Sequence, residues 1–287
     1  MRRLAPVSAF LVAMVFIVML VPSCETTKPI RESWESALGP VPTKSVNPRS
    51  LHSECNVRVD LIKANRFGRK GQRPMKPQFI TIHSTQNYTG DAHAHAKALK
   101  RGALKGGVIG YLAWHFTVQQ DCAIQHIPTN ERGEHADFDG PGNRYSIGIE
   151  MCEHEGNSLP QTVERTAKLT ASLMYHHKIS IDNVVPHYHW PRRGYNPANK
   201  NCPHFLLEGG HPRANWSWFK SRVNGHYQRI LKYQKENPPP PPPSAPPTPE
   251  QIQRYQQQID QQRGGSPAQK PLARRRESAL GDSPKVG

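Results

Sequence analysis

The chain has 287 residues, 38 Lys and Arg against 22 Asp and Glu, and a formal net charge of +16. Counting Gly in place of Tyr, about 40% of it is apolar, below the roughly 45–50% of an ordinary globular domain, so it is not all core. Twelve of the 28 Pro fall in residues 238–287, including the unbroken run Pro238–Pro243, which excludes a packed domain there. The first 24 residues carry only Arg2 and Arg3, and the last 50 carry seven basic against four acidic residues, so a charge of about +11 belongs to the middle. Such an excess favours an anionic partner, either a wall polymer, lipid headgroups or nucleic acid. No stretch resembles a nucleic-acid-binding module, so nucleic acid is not expected as a partner. All 15 His lie between His52 and His226, a mild pointer to metal or acid–base chemistry in the middle.

Met1-Arg-Arg followed by the apolar Ala9–Val21 reads as a secretory signal peptide, too short for a stable membrane span. It ends Leu20-Val-Pro-Ser-Cys24, which resembles a bacterial lipobox despite the Pro two residues before the Cys. Cleavage there makes residues 1–23 a signal peptide and Cys24 a lipidated N-terminus. By resemblance to Gram-negative lipoprotein sorting, Glu25 rather than Asp then implies an outer-membrane lipoprotein facing the periplasm, with plain secretion as the alternative. Residues 24–51 are polar with scattered Pro and read as a linker.

Phe79–His83 is β-branched and reads as a buried strand. Asp91 caps a helix to about Arg101, ended by Gly102. Trp114–Val118 and Cys122–Ile127 form a hairpin around Gln119-Gln-Asp121, with Trp114 and His115 on opposite sides of their strand. Residues 133–144 form a Gly- and Pro-containing loop, and Ser146–Met151 is a third apolar strand. Ser158-Leu-Pro-Gln161 predicts a capped helix start, with apolar residues at helical spacing to about His177. Val184-Val185 is a short strand leading into His187, residues 196–203 are a loop, and Trp216–Tyr233 is a last helix. The fold class is therefore α/β, a central mixed sheet flanked by helices, over residues 52–235. Residues 236–287 form a Pro/Gln-rich disordered tail in which 250–263 can be a transient amphipathic helix, and the proline run reads as a spacer.

His83, His187 and Cys202 stand at the ends of elements. Two His and one thiolate would leave a tetrahedral zinc one open position, the layout of a catalytic site. Spacing alone does not single them out among 15 His.

The surrounding words do. Ile80-Thr-Ile-His-Ser-Thr85, Trp114-His-Phe-Thr-Val118, Ser146-Ile-Gly-Ile-Glu150, Val185-Pro-His187 and Lys200-Asn-Cys-Pro203 occur in one order. Together, from about Val57 to Val223, they resemble the zinc-dependent N-acetylmuramoyl-L-alanine amidases of type 2, the phage-lysozyme and peptidoglycan-recognition-protein superfamily, in its lipoprotein form. The resemblance implies peptidoglycan as substrate and one Zn²⁺ per chain on His83, His187 and Cys202. It implies Glu150 as general base and Lys200 as the charge stabiliser. Trp114 stands where some members carry Tyr, so a phenolic donor is not available there. Trp114, His115 and His135 are candidate substrate contacts. Cys55, Cys122 and Cys152 are left, and an extracytoplasmic setting permits a disulfide among them without fixing the pair. Two rivals stay open: a peptidoglycan-binding module without catalysis, which typically lacks the Cys ligand, and a zinc peptidase cutting within the stem peptide.

Overall fold

The structure is a computed structural model that describes residues 30–106, 110–239 and 248–263. The signal peptide and Cys24 lie outside the described residues. Among those described, no helix is long and apolar enough to cross a membrane. The chain divides at Asn237 into two units.

The first unit is built on a six-stranded mixed sheet of order β1-β4-β3-β5-β2-β6. Its strands are β1 (Val57–Val59), β2 (Phe79–Ser84), β3 (Phe116–Val118), β4 (Ala123–Gln125), β5 (Ser146–Met151) and β6 (Val184–Pro186). β3, β5, β2 and β6 run parallel, and β4 returns antiparallel to β3 as the expected hairpin. The helices are α1 (Ile30–Leu38), α2 (Pro48–Glu54), α3 (Ala92–Arg101), the single turn α4 (Pro141–Tyr145), α5 (Leu159–His177) and α6 (Ala214–Glu236). This is the α/β architecture the sequence pattern called for.

The central strands are apolar because both faces of a parallel sheet are covered. Ile80, Ile82, Ile147 and Ile149 are fully buried against Val163, Ala167 and Leu173 of α5 and Phe219 and Val223 of α6. Each such side chain contributes about 1.5–3 kcal/mol. On the opposite face Thr81 and Ser146 bond to each other, and the Trp190 indole donates to Thr81 Oγ1 at 2.9 Å. β6 is an edge strand that ends in Pro186, paired with Ile82. Proline cannot donate to the ladder, so pairing stops there and the chain turns into His187.

α3 starts as predicted: Asp91 Oδ1 accepts from the Ala94 N–H at 2.7 Å. Gly102 ends it at φ +66, where a Cβ would also strike the Phe67 ring. The capping box expected at α5 is absent. The Ser158 side chain makes no capping bond, and Asn157 holds the entry instead by donating to Cys152 O at 2.8 Å.

The stretch expected to be a linker is folded from Ile30 onward. Trp34 of α1 is buried against Phe205 and Trp218, with ring centroids 5.7 and 5.8 Å away. Arginines of α6 grip the backbone that follows: Arg222 donates to Gly39 O (2.8 Å) and Arg229 to Lys44 O (2.9 Å). Asn47 Oδ1 then caps α2 by accepting from the Arg49 N–H. The polar composition of residues 30–50 hides this, because their partners lie about 180 positions downstream. Cys55, Cys122, Cys152 and Cys202 are all buried free thiols, so no disulfide forms among the described cysteines. In the second unit, residues of the expected tail form α7 (Pro249–Arg263), with Ile252, Tyr255 and Ile259 exposed.

One buried ion cluster joins α5 to α6. Glu164 accepts from Arg222 Nε at 2.6 Å and from His226 Nε2 at 2.9 Å, while Arg229 donates to His226 Nδ1 at 3.1 Å. Burial pushes the Glu164 carboxyl up, but the hydrogen bonds from His226 and Arg222 outweigh it and hold the pKa at about 2. A depressed carboxylate contributes stability above its unfolded value near 4.5 and loses it as pH falls toward about 2. Acid titration of unfolding should therefore lose roughly 3 kcal/mol across that window. In Glu164→Gln that loss should disappear, and neutral-pH stability should drop by about 3–5 kcal/mol because Arg222 is left buried without its partner. Parallel acid profiles for the two proteins, measured by chemical denaturation, would remove Glu164 from this role.

Candidate active site

The register of three parallel strands builds the site. His83 on β2 pairs with Glu150 on β5, and Pro186 on β6 delivers His187 beside them. All three side chains thus emerge at the carboxyl ends of adjacent strands, where open α/β sheets bind ligands. Cys202 arrives on the loop before α6, and the Ser84 N–H donates to its Sγ at 3.3 Å. The ligand atoms of His83, His187 and Cys202 lie within 4.8 Å of one another, and all three residues are buried.

The hydrogen bonds fix which imidazole nitrogens carry protons. His187 Nε2 lies 3.0 Å from Ala136 O, and His135 Nε2 lies 3.2 Å from Ser146 O. A carbonyl only accepts, so both Nε2 atoms are donors and both Nδ1 atoms are bare in the neutral rings. His83 Nε2, 3.0 Å from His135 Nδ1, must then donate to it, which leaves His83 Nδ1 bare as well. The bare Nδ1 atoms of His83 and His187 face each other at 2.9 Å. Protonation is not an available relief. Burial, then the neighbouring imidazoles, holds His83 well below its ordinary value; burial and the Lys200 charge hold His187 at about 3. Two converging lone pairs and a sulfur that already accepts a backbone N–H form a donor set suited to a soft divalent cation. With no metal bound, burial keeps the Cys202 thiol protonated, pushed up to about 12.

Glu150 Oε1 sits 3.8 Å from His83 Nδ1, and its buried Oε2 has no hydrogen-bond partner among the described residues. Burial raises the carboxyl to about 7, against the opposing pull of Lys200. Glu150, Lys200, His187, His135 and Trp114 line a common pocket of about 180 Å³. Its polar floor and cationic wall suit a substrate in which negative charge develops during reaction.

The other sequence candidates divide. His135 touches His83 and fixes its tautomer. His115 is fully buried, accepts from the Gly148 N–H at Nδ1 (2.9 Å), donates from Nε2 to Glu131 O (2.9 Å), and does not line the pocket. Trp114 donates to Thr117 Oγ1 at 2.7 Å and packs with Ile62, Leu99 and Ile127. Asn143, which sequence reading did not pick, accepts the N–H groups of His135 and Ala136 at 2.9 and 2.7 Å. It thereby holds the loop whose carbonyl orients His187. Phe138, Arg192 and Tyr195 also line the pocket and were not picked, since they sit in irregular polar loops. For the latter two, the word Arg192-Arg-Gly-Tyr195 was the only visible signal.

Comparison with known proteins agrees with this geometry. The N-acetylmuramoyl-L-alanine amidase family matches residues 73–205. The N-acetylmuramoyl-L-alanine amidase XlyA of Bacillus subtilis (strain 168) is 38% identical over 173 residues, 59% of this chain and 52% of XlyA. CwlH, another N-acetylmuramoyl-L-alanine amidase of that organism, is 33% identical over 172 residues, 58% of this chain and 61% of CwlH. The chain thus spans between about half and three-fifths of these relatives' lengths. A solved structure of a mutant endolysin from Bacillus subtilis is 38% identical, with a TM-score of 0.50, covering 58% of this chain and 98% of that one. The chain belongs to the N-acetylmuramoyl-L-alanine amidase family of type 2.

Gly148 makes the imidazole lattice possible. A Cβ there would stand 2.7 Å from the His135 ring, against the strand backbone on one side and His83 on the other. Gly148→Ala should cost about 1–3 kcal/mol by overpacking, read by chemical denaturation. An unchanged midpoint would mean that the ring has room to move and that the lattice is looser than drawn.

Proposed function

We propose that this chain hydrolyses the amide between the lactyl group of N-acetylmuramic acid and L-alanine in peptidoglycan, using one zinc ion held by His83, His187 and Cys202. The observation that carries the reading is the pair of bare imidazole nitrogens at 2.9 Å with the Glu150 carboxyl beside them. In such a site zinc supplies Lewis acidity, which polarises a carbonyl and acidifies water. Glu150, poised near neutrality by burial, takes the proton of the attacking water and hands it to the departing amine. Lys200 faces the same pocket and balances the charge that grows on the carbonyl oxygen. His135 and Ala136 O keep both ligand rings in the tautomer that presents Nδ1.

Digestion of purified peptidoglycan, with fragments identified by mass, tests this directly. Release of stem peptides beginning with a free L-alanine amine is expected. New termini inside the peptide would favour a peptidase, and binding without any cleavage would favour a non-catalytic module.

The residues separate by role. His83→Ala and Cys202→Ala should lose both zinc and turnover, measured by metal analysis of the purified protein. Glu150→Ala and Lys200→Ala should keep zinc and fold, yet lose about 10²–10³-fold in turnover. Near wild-type turnover in the Glu150 variant with zinc confirmed would sink the mechanism.

The proposed address is an outer-membrane lipoprotein facing the periplasm, anchored through a diacylated Cys24. Its support is the Leu20-Val-Pro-Ser-Cys24 word behind an apolar leader. Cys24→Ser should move the protein from the membrane to the soluble fraction while the rate on isolated peptidoglycan stays the same. A mature N-terminus found free and unacylated would favour plain secretion.

A further inference from the structure

The pocket is lined by a second cation that the mechanism above does not use. Arg192 lies in the loop between His187 and Cys202 and lines the same pocket as Glu150 and Lys200. Its backbone N–H and its Nε both donate to Ala198 O, at 2.9 and 3.3 Å. The Tyr195 N–H returns to Arg192 O at 3.3 Å, closing the loop on itself. The guanidinium carbon lies 4.3 Å over the Tyr195 ring, and the Phe138 ring, which lines the same pocket, lies 6.1 Å from it. One edge of the guanidinium is therefore tied to backbone and one face to an aromatic ring. Among the described residues, Ala198 O and the Tyr195 ring are its only side-chain partners.

A stacked guanidinium with free Nη groups is a preorganised fork for a planar, doubly accepting anion. No acid among the described residues fills it. The adjoining cavity of about 580 Å³ contains Asp137 and Asp139, but both are engaged. Asp137 accepts the N–H groups of Gly142 and Asn143 at 2.9 Å, and Asp139 accepts from Arg144. The anion must come with the substrate. The inference rests on the amidase reading, and the chemistry of that substrate then narrows the choice. The carboxyl of muramic acid is consumed in the scissile amide and the amino sugars are neutral, so the carboxylates of a muramoyl-peptide lie on its peptide. We propose that Arg192, held over Tyr195, binds a free carboxylate of the stem peptide and so sets which peptides are cut.

A synthetic stem peptide with one internal and one C-terminal carboxylate offers both kinds of source, and amidation separates them. Zinc-loaded full-length wild type, Arg192→Gln, Arg192→Lys and Tyr195→Leu should be compared on four synthetic muramoyl-peptides. These carry both carboxylates free, the internal one amidated, the terminal one amidated, or both amidated. Arg192→Gln should lower kcat/KM by about 10–100-fold on the free peptide, mostly through KM, as expected for one charge-assisted fork. On the doubly amidated peptide the variant and wild type should be equal. The singly amidated peptide that abolishes the difference identifies the carboxylate. Arg192→Lys should recover part of the loss, and Tyr195→Leu should reproduce part of it. Zinc content and unfolding midpoint should stay unchanged in all three variants, which separates recognition from damage to the fold. An equal loss on all four peptides, or none on any, overturns the proposal while leaving the amidase reading in place. Wild type that releases no peptide from any of the four would remove both.

Discussion

Two unprotonated nitrogens facing each other across 2.9 Å are unstable without a cation, and much of the molecule serves to keep them there. Each ring is oriented by its other nitrogen, His187 through Ala136 O and His83 through His135, which is itself fixed by Ser146 O. The chain of dependence runs further outward. Asn143 holds the loop that bears Ala136, and Gly148 leaves the space in which His135 lies against the strand. The sheet register then decides that Glu150 stands beside His83 rather than one residue away on the opposite face. A slip of one position would bury Ile149 in the pocket and send Glu150 into the core.

What could be read from the sequence follows the range over which each interaction acts. β2, β5, the hairpin and α3 were legible because alternation, caps and turn residues are local. Their positions within the sheet were not local, yet the words around His83, Glu150, His187 and Cys202 carried the resemblance that joined them. The folded N-terminal stretch was missed because its stability comes from Arg222, Arg229 and Trp218, far along the chain. Nothing in the polar segment 30–50 announces that its carbonyls will be collected by arginines of a distant helix. The role of His135 was legible only in part. Its neighbourhood suggested a cleft, but only coordinates show that its ring is committed to His83. His115 stands one residue from a pocket-lining Trp, and the choice between the pocket and the backbone of Gly148 depends on strand geometry that the sequence does not display.

The electrostatics of the pocket set two opposing demands on Glu150. Burial destabilises its carboxylate and raises the pKa to about 7, while Lys200 pulls in the other direction. A base left wholly to burial would stay protonated at neutral pH, and one left wholly to the cations would be too weak to accept a proton. A balance near neutrality suits the role of general base proposed for Glu150, in which a proton is accepted and then returned. Lys200 also acts on His187, where burial and then that charge oppose protonation and so leave its Nδ1 lone pair free. The basic character of the middle of the chain thus enters the site in a specific way rather than only as a general attraction for anionic polymer.

These features carry a cost in stability. A buried carboxylate oxygen without a partner and two opposed lone pairs each remain only because the surrounding structure holds them, at a cost of the order of 1–3 kcal/mol apiece. Compensation must come from elements that do not touch the reaction. The isoleucine layers of β2 and β5 supply one part. The Glu164–Arg222–His226 cluster supplies a different kind of support, since it locks α5 to α6 and, through Gly39 O, locks the N-terminal segment to both. Trp34 is seated on Phe205, three residues after Cys202, so the same N-terminal segment also backs the loop that delivers the thiol. The segment that reads as a tether is therefore a structural brace for the loop that carries Cys202. A truncation beginning at residue 52 would remove that brace even though it keeps every residue of the site.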